Sequence, residues 1–352
     1  MNRTGAEMTR NLEAIVRDPA WLAHRYDAVQ DAFQFRHVPR DIHRKATFLT
    51  DEYLDTAGGT SAPIVAVPRA QALAAGAERA PIHFIFHSAF CASTMLVRAL
   101  DVAGMAMGLS EPMLCNDLMG WRWRGAERRQ VAAVLDASLA LLQRPHGPGE
   151  AVVVKPSNIF NPLIGAVMAL RPDSRAVLLH APLPVFLASV ARKGLWCRLW
   201  ARELLEGQLR EGTVDLGFGP ADYFRQSDLQ VAAVGWLVQH RMFAQLARQL
   251  GPDRVRTLDS ETLTLRKPDS LKALSVHFGL TQAADIQKAM LSNPALSSHS
   301  KFGQSFSADD RAEEQEFARR AFGDEIDKVH SWALEVARVN GMPRARFAFV
   351  PQ

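Results

Sequence analysis

The stretch "IHFIFHSAFCASTMLVRALD", Ile82–Asp101, decides the fold. Its apolar run up to His87 is typical of a buried strand, and the amphipathic run that begins at Ser93 predicts a helix. Small residues and the Ser93–Thr94 pair join the two elements. A strand, a tight loop and a helix N-terminus can hold a phosphate, because several backbone N–H groups and the helix dipole point at one place. This loop nevertheless contains neither glycine nor lysine.

The Walker phosphate loop, GxxxxGK[ST], is the natural comparison for this stretch. On its spacing, His87 and Ala92 fall on the two glycines, Ser93 on the lysine and Thr94 on the hydroxyl. Serine cannot neutralise a γ-phosphate, which argues against an ATPase or a kinase. It does not argue against the binding of phosphate.

The periodicity along the chain alternates between strand and helix. Three predicted strands end in polar residues, at His87, Lys155 and His180, and a helix is predicted after each. This pattern predicts an α/β fold, with a P-loop NTPase-like central parallel sheet flanked by helices and with extra N-terminal and insertion helices. Ligands bind beyond the carboxyl ends of the strands in such a sheet, so we expect the three ends to converge on one pocket. We predict a helical and irregular extension over residues 1–75, followed by the main domain over 76–352.

Composition narrows the class of protein. The chain has 352 residues, 48% of them hydrophobic and 22% charged, and a net charge of +4 without a basic tract. A nucleic-acid partner is therefore not expected. Cys91, Cys115 and Cys197 show no CxxC spacing, which predicts neither a disulfide framework nor a structural zinc site. With no signal peptide and no apolar run long enough for a membrane span, a cytoplasmic protein without a metal is the expectation.

The segment "FHSAFCASTMLVRAL" resembles the 5′-phosphosulfate loop of the sulfotransferases. That loop usually reads PRSGSTLL or PKSGTTWL, and it also has Ser or Thr in place of the Walker lysine. The resemblance implies that the loop binds the donor 3′-phosphoadenosine-5′-phosphosulfate (PAPS) through Ser88, Ala89, Phe90, Cys91, Ala92, Ser93 and Thr94. His87, at its start, is a candidate donor of a hydrogen bond to the anion or an ordinary strand-end histidine. Phe90 stands where the family has a lysine or arginine.

Two further segments resemble sulfotransferase motifs that carry catalytic groups. "LSEPMLCND" resembles the GEP or GEE segment, which implies that Glu111 is the general base. "VVVKPSN" resembles the K-x-P strand end, so Lys155 would supply the positive charge that Phe90 lacks. Sulfuryl transfer needs a proton acceptor and stabilisation of charge on the bridging oxygen. The alternative for Lys155 is a lysine that caps the sheet edge and forms an ion pair with a neighbour.

The cofactor's 3′-phosphate has its own implied site. "RAVLLHAPLPVFLASVARKG" resembles the segment that binds this phosphate, with His180 in place of the usual arginine, Ser189 one place beyond the usual serine, and Arg192 at the trailing basic position. The late loop "SSHSKFGQSF" contributes Lys301 by the same resemblance. The likeness extends in order from Ile82 to Phe306.

The sequence thus favours a sulfotransferase-like enzyme that moves a sulfuryl group from PAPS to a hydroxyl or amine acceptor and releases the bisphosphate (PAP). A noncatalytic binding or scaffold protein on the same fold is the main alternative. It is suggested by residues that lack the family's usual side chains, namely Phe90, Ala92, His180 and Ala188. An ATP-dependent phosphotransferase is a further alternative, which the missing Walker lysine disfavours.

Overall fold

The computed structural model describes residues 11–58, 62–212, 215–296 and 308–342. The chain forms two compact units that alternate along the sequence. The first takes in the described residues of 1–85, 94–175 and 274–293, and the second those of 86–93, 176–273 and 294–352. The predicted boundary at residues 75 and 76 stays a prediction.

The first unit contains an antiparallel sheet of three strands in the order β1-β2-β3. Its strands are β1 (Trp21–Asp27), β2 (Ala32–His37) and β3 (Val65–Pro68). We predicted helical and irregular structure here, and that expectation missed the sheet. Polar residues inside the strands hide the alternation, since His24 is fully buried and bonded to Asp51 at 2.7 Å, and an irregularity between Ala23 and Arg25 shifts the register.

The main sheet has five strands in the order β5-β6-β4-β7-β8. They are β4 (Ile82–His87), β5 (Ala106–Ser110), β6 (Ala151–Lys155), β7 (Ala176–His180) and β8 (Val255–Asp259). Every residue of β4, β5, β6 and β7 is buried, as expected for parallel strands that helices cover on both faces. The predicted α/β fold, with a parallel sheet flanked by helices, is confirmed.

Helices occupy most of the remaining chain. Those before β7 are α1 (residues 11–17), α2 (Arg40–Lys45), α3 (Asp51–Thr56), α4 (Arg69–Ala74), α5 (Ser93–Leu100), α6 (Met113–Trp123), α7 (Arg128–Leu142) and α8 (Ile164–Leu170). A 3₁₀ turn, Asn158–Leu163, leads into α8.

The helices after β7 include the longest ones in the described chain. They are α9 (Leu183–Arg192), α10 (Leu195–Arg210), α11 (Pro220–Arg225), α12 (Asp228–Leu250), α13 (Ser260–Leu265), α14 (Lys267–His277), α15 (Ala284–Leu291) and α16 (Ala308–Val339). Among the described residues, no helix combines the length and the apolar composition that a membrane crossing requires.

Candidate functional site

The loop between β4 and α5 adopts a backbone that glycine would normally supply. Ala89, Phe90 and Ala92 have φ values of +72°, +52° and +62°. Such left-handed conformations cost a side-chain-bearing residue roughly 1–2 kcal/mol. The loop therefore holds alanine and phenylalanine in backbone conformations that favour glycine, at a cost in backbone strain.

Contacts within the second unit hold the start of this loop. The Ser88 N–H donates to the Leu179 carbonyl at 3.0 Å, and the Cys91 thiol donates to the same oxygen at 3.6 Å. The Ala89 N–H donates to Nδ1 of His87 at 3.1 Å. Because Nδ1 accepts this bond, the imidazole proton must sit on Nε2. His87 thus shapes the loop through its Nδ1 atom.

Phe90 packs among aromatic side chains of the second unit. Its ring centroid lies 5.8 Å from that of Phe186 and 5.5 Å from that of Trp200, which it meets edge-on. The ammonium of Lys193 lies 5.6 Å from the Phe90 ring centroid. Lys193 therefore brings a positive charge next to Phe90, the residue that stands where the resembling motif has a lysine or arginine.

His180 ends β7 beside a second histidine that sequence reasoning did not identify. The two rings meet edge-on, with centroids 4.9 Å apart, and His240 stacks on Trp236 at 3.4 Å. Trp236 Nε1 donates to the Ala181 carbonyl at 2.8 Å, which fixes this part of α12 to the strand end. The sequence places Trp236 and His240 four residues apart, on one face of an apolar helix. Nothing in that helix indicates that this face lies at the end of β7.

Burial keeps this histidine pair neutral. Desolvation lowers the pKa of His180, and the nearby Asp259 carboxylate only partly opposes it. Desolvation also lowers the pKa of His240 well below its usual value, and His180 adds to the effect. At neutral pH the end of β7 therefore offers imidazole nitrogens rather than a cation.

The other residues expected at the 3′-phosphate end lie in or beyond α9. The Ser189 hydroxyl donates to the Val185 carbonyl of its own helix at 2.9 Å. Arg192 is half-buried in the last turn. Lys301 lies outside the described residues.

In the first unit, two sequence-predicted residues meet. Ser110 and Lys155 are register partners at the ends of β5 and β6, and the Glu111 N–H donates to the Lys155 carbonyl at 2.7 Å. The Glu111 carboxylate forms an ion pair with the Lys155 ammonium. Lys155 has no exposed surface, while Glu111 remains partly exposed. The ion pair foreseen as the structural alternative for Lys155 is thus formed with the candidate base itself.

A segment near the N-terminus completes this site, and sequence reasoning missed it. The Leu49 N–H donates to the Ser110 carbonyl at 2.8 Å, and the Leu49 carbonyl accepts from the Met113 N–H at 3.2 Å. These bonds close the turn that contains Glu111, whose φ is +49°. Nothing in the local sequence indicates a contact across some sixty residues, so no motif search could have found it.

Two aromatic side chains flank the ion pair. The Lys155 ammonium lies 5.0 Å from the ring centroid of Phe48, and Tyr53 meets that ring edge-on at 5.0 Å. Burial raises the pKa of Tyr53, and the carboxylates of Glu52 and Glu111 raise it further. The Tyr53 phenol therefore lies within electrostatic reach of the candidate base.

The remaining predicted loop residues, Ser93 and Thr94, and the three cysteines are all buried. Ser93 and Thr94 open α5. None of the three cysteines forms a disulfide. Within the described part of the chain, no group of three or more His, Cys, Asp or Glu side chains is arranged to hold a metal ion.

Several solved structures are similar to this chain. Sulfotransferase STF9 from Mycobacterium avium matches with a TM-score of 0.43 and 14% identity, over 72% of this chain and 77% of its own. Sulfotransferase STF1 from Mycobacterium tuberculosis gives 0.39 and 16% over 70% and 77%. The sulfotransferase domain from the curacin biosynthetic pathway gives 0.39 and 17% over 59% and 77%.

No protein-family model and no curated protein sequence matches the chain.

Proposed function

We propose that this protein is a sulfotransferase-like enzyme that transfers a sulfuryl group from PAPS to a hydroxyl or amine acceptor. The observation that carries the proposal is the ion pair of Glu111 and the buried Lys155 at neighbouring strand ends. A partly exposed carboxylate beside a desolvated ammonium combines a proton acceptor with a fixed positive charge, and sulfuryl transfer needs both groups.

Each residue has one task in the proposed reaction. Bound PAPS supplies the sulfuryl group and leaves as the bisphosphate. Glu111 takes the proton from the acceptor, and Lys155 stabilises negative charge that develops on the bridging oxygen. The loop from His87 to Thr94 holds the 5′-phosphosulfate through backbone N–H groups and the hydroxyls of Ser93 and Thr94.

The 3′-phosphate end of the proposal relies on few charges. His180 contributes a hydrogen bond rather than a charge, because burial keeps it neutral. Recognition of the phosphate charge then falls to Arg192 and Lys301, with the Ser189 hydroxyl as a further donor. We place the protein in a reducing compartment such as the cytoplasm, because the spacing of its three cysteines is not that of a disulfide framework.

Calorimetric titration with PAP, with ADP and with ATP plus magnesium tests the proposal. We expect PAP to bind and the other two nucleotides to bind at least tenfold more weakly, since only PAP carries the 3′-phosphate. The Glu111→Gln variant is the matched control. Because the proposed base contacts the acceptor and not the nucleotide, the substitution should leave PAP affinity unchanged. Equal affinity for PAP and ADP would contradict the assignment of the 3′-phosphate site.

A noncatalytic binding or scaffold protein is the second candidate. It is favoured by the packing of Phe90 among Phe186 and Trp200, and by the neutral state of His180. This candidate predicts no heat of binding with any of the three nucleotides. Binding of ATP plus magnesium, without binding of PAP or ADP, would instead support an ATP-dependent phosphotransferase.

A further inference from the structure

Lys155 poses an energetic problem that two neighbours solve together. Its side chain is fully buried, and a buried ammonium is strongly unfavourable unless other groups compensate the lost hydration. The Glu111 carboxylate is one compensating group, through the ion pair. The face of Phe48 is the second, since the ammonium lies 5.0 Å from its ring centroid.

The two compensating groups differ during the proposed reaction. Glu111 becomes neutral once it has taken a proton from the acceptor, and Lys155 then loses its counter-charge. The quadrupole of the Phe48 ring does not change with protonation. The ring is therefore a contact that still stabilises the ammonium when the carboxylate no longer does.

Phe48 is held in place by its own surroundings. The next residue, Leu49, is bonded through both its N–H and its carbonyl to the turn that carries Glu111. Tyr53 packs edge-on against the Phe48 ring with centroids 5.0 Å apart. The ring and the turn are thus tied together, so that the ring stays over the ammonium independently of the ion pair.

We propose that Phe48 is a positioning residue, which holds the Lys155 ammonium in the site while Glu111 is protonated. The inference rests on the proposed function, in which Glu111 is the base. Phe48 touches neither donor nor acceptor in this role, and it acts through Lys155.

The role is tested by the thermal midpoint shift that Phe48→Leu causes in three backgrounds: the natural sequence, Glu111→Gln and Lys155→Met. Gln imitates the uncharged form of the base, so the shift should be larger there than in the natural sequence. Lys155→Met removes the cation, so the shift should be smallest in that background. Equal shifts in all three would overturn the proposal, because a ring that only fills space does not sense the charge.

Control variants separate the ring's electrostatics from its packing. Phe48→Tyr keeps the ring face and should restore the natural behaviour in every background. Phe218→Leu removes a half-buried ring whose observed contacts are with Tyr223 and Trp332, and its shift should be the same in all three backgrounds. Should Phe48→Leu fail to fold, Phe48→Met, which keeps an unbranched apolar side chain, takes its place.

A spectroscopic signature gives a second readout. The ε-CH₂ protons of Lys155, assigned by their loss in Lys155→Met, should resonate upfield because the ring lies over the ammonium. Phe48→Leu should move them downfield, and Phe48→Tyr should not. An unchanged resonance in Phe48→Leu would overturn the contact itself.

PAP titration of the same variants separates failure of the inference from failure of the proposed function. Binding of PAP together with unequal midpoint shifts supports both. Binding of PAP with equal shifts removes Phe48 from the mechanism and leaves the proposed function intact. Unequal shifts without binding of PAP by any variant would sink the proposed function, and with it the catalytic reason for the contact.

Discussion

A buried nitrogen group at a strand end is charged in the first unit and neutral in the second. At the end of β6, in the first unit, Lys155 is fully buried and has a carboxylate and an aromatic face as partners. At the end of β7, in the second unit, His180 is buried against His240, and both are kept neutral. The buried charge in the first unit thus depends on partner side chains for its stabilisation. The buried groups in the second unit need no such partners, because they are uncharged. Substitutions at either strand end can abolish this contrast.

The largest effect is expected from Glu111→Gln. The change leaves a buried ammonium without its carboxylate, so the free energy of unfolding should fall by about 3 kcal/mol. PAPS-dependent sulfuryl transfer should fall to background, while PAP affinity stays the same. Chemical denaturation and an assay of PAP release measure the two effects.

The double variant Glu111→Gln with Lys155→Met is the control for that experiment. Because it removes both members of the pair, it should recover much of the lost stability but none of the activity. Turnover equal to that of the natural sequence in Glu111→Gln would remove Glu111 from the mechanism. A stability loss that persists undiminished in the double variant would argue against an uncompensated charge as its cause.

The histidine pair predicts a loss of stability in acid. The pKa values of His180 and His240 are lowered in the folded state from the usual 6.5, so the unfolded chain binds more protons below that pH. The free energy of unfolding should therefore fall as the pH drops from about 6.5 toward the folded-state values. The slope is at most about 1.4 kcal/mol per pH unit for each histidine. Denaturation midpoints between pH 8 and pH 5 measure it.

Two variants isolate the pair from the other histidines of the chain. His240→Phe keeps a ring on Trp236 and removes one titrating group, so the acid slope should become shallower. Trp236→Phe loses the bond to the Ala181 carbonyl and lowers stability at every pH, but should leave the slope unchanged. An unaltered slope in His240→Phe would mean that the pair is not kept neutral by folding.

The strained loop between β4 and α5 predicts a substitution that raises stability. Ala92→Gly places glycine at φ +62°, where it avoids the clash of Cβ, so the unfolding free energy should rise by about 1 kcal/mol despite the greater freedom of the unfolded chain. Ala132→Gly, at an exposed position within α7, is the matched control and should lower stability by about 1 kcal/mol. Destabilisation by both variants would show that the loop does not hold Ala92 in the left-handed region.

Sequence alone could predict the parts of this molecule that depend on local pattern. The continuous apolar runs of β6 and β7 were sufficient, because strands buried on both faces need no alternation. The strand β5, "AMGLS", was missed: it contains no β-branched residue, and its burial follows from its neighbours in the sheet. The contact of Phe48 with Lys155 depends on chain segments brought together only by folding, and the left-handed conformation of Ala92 contradicts its local preference.

The smallest effect on stability is expected from Ser189→Ala, which also sharpens the contrast between charged and neutral strand ends. The Ser189 hydroxyl donates only within its own helix to the Val185 carbonyl, at 2.9 Å, among the contacts seen here. Its removal should therefore change the free energy of unfolding by less than about 0.5 kcal/mol. If the hydroxyl turns to the 3′-phosphate when PAP binds, the affinity for PAP should fall several-fold while that for ADP does not change, as calorimetry would show.

A parallel fall for both nucleotides would mean that Ser189 does not read the 3′-phosphate. With His180 neutral, recognition would then have to come from cationic side chains elsewhere, such as Arg192.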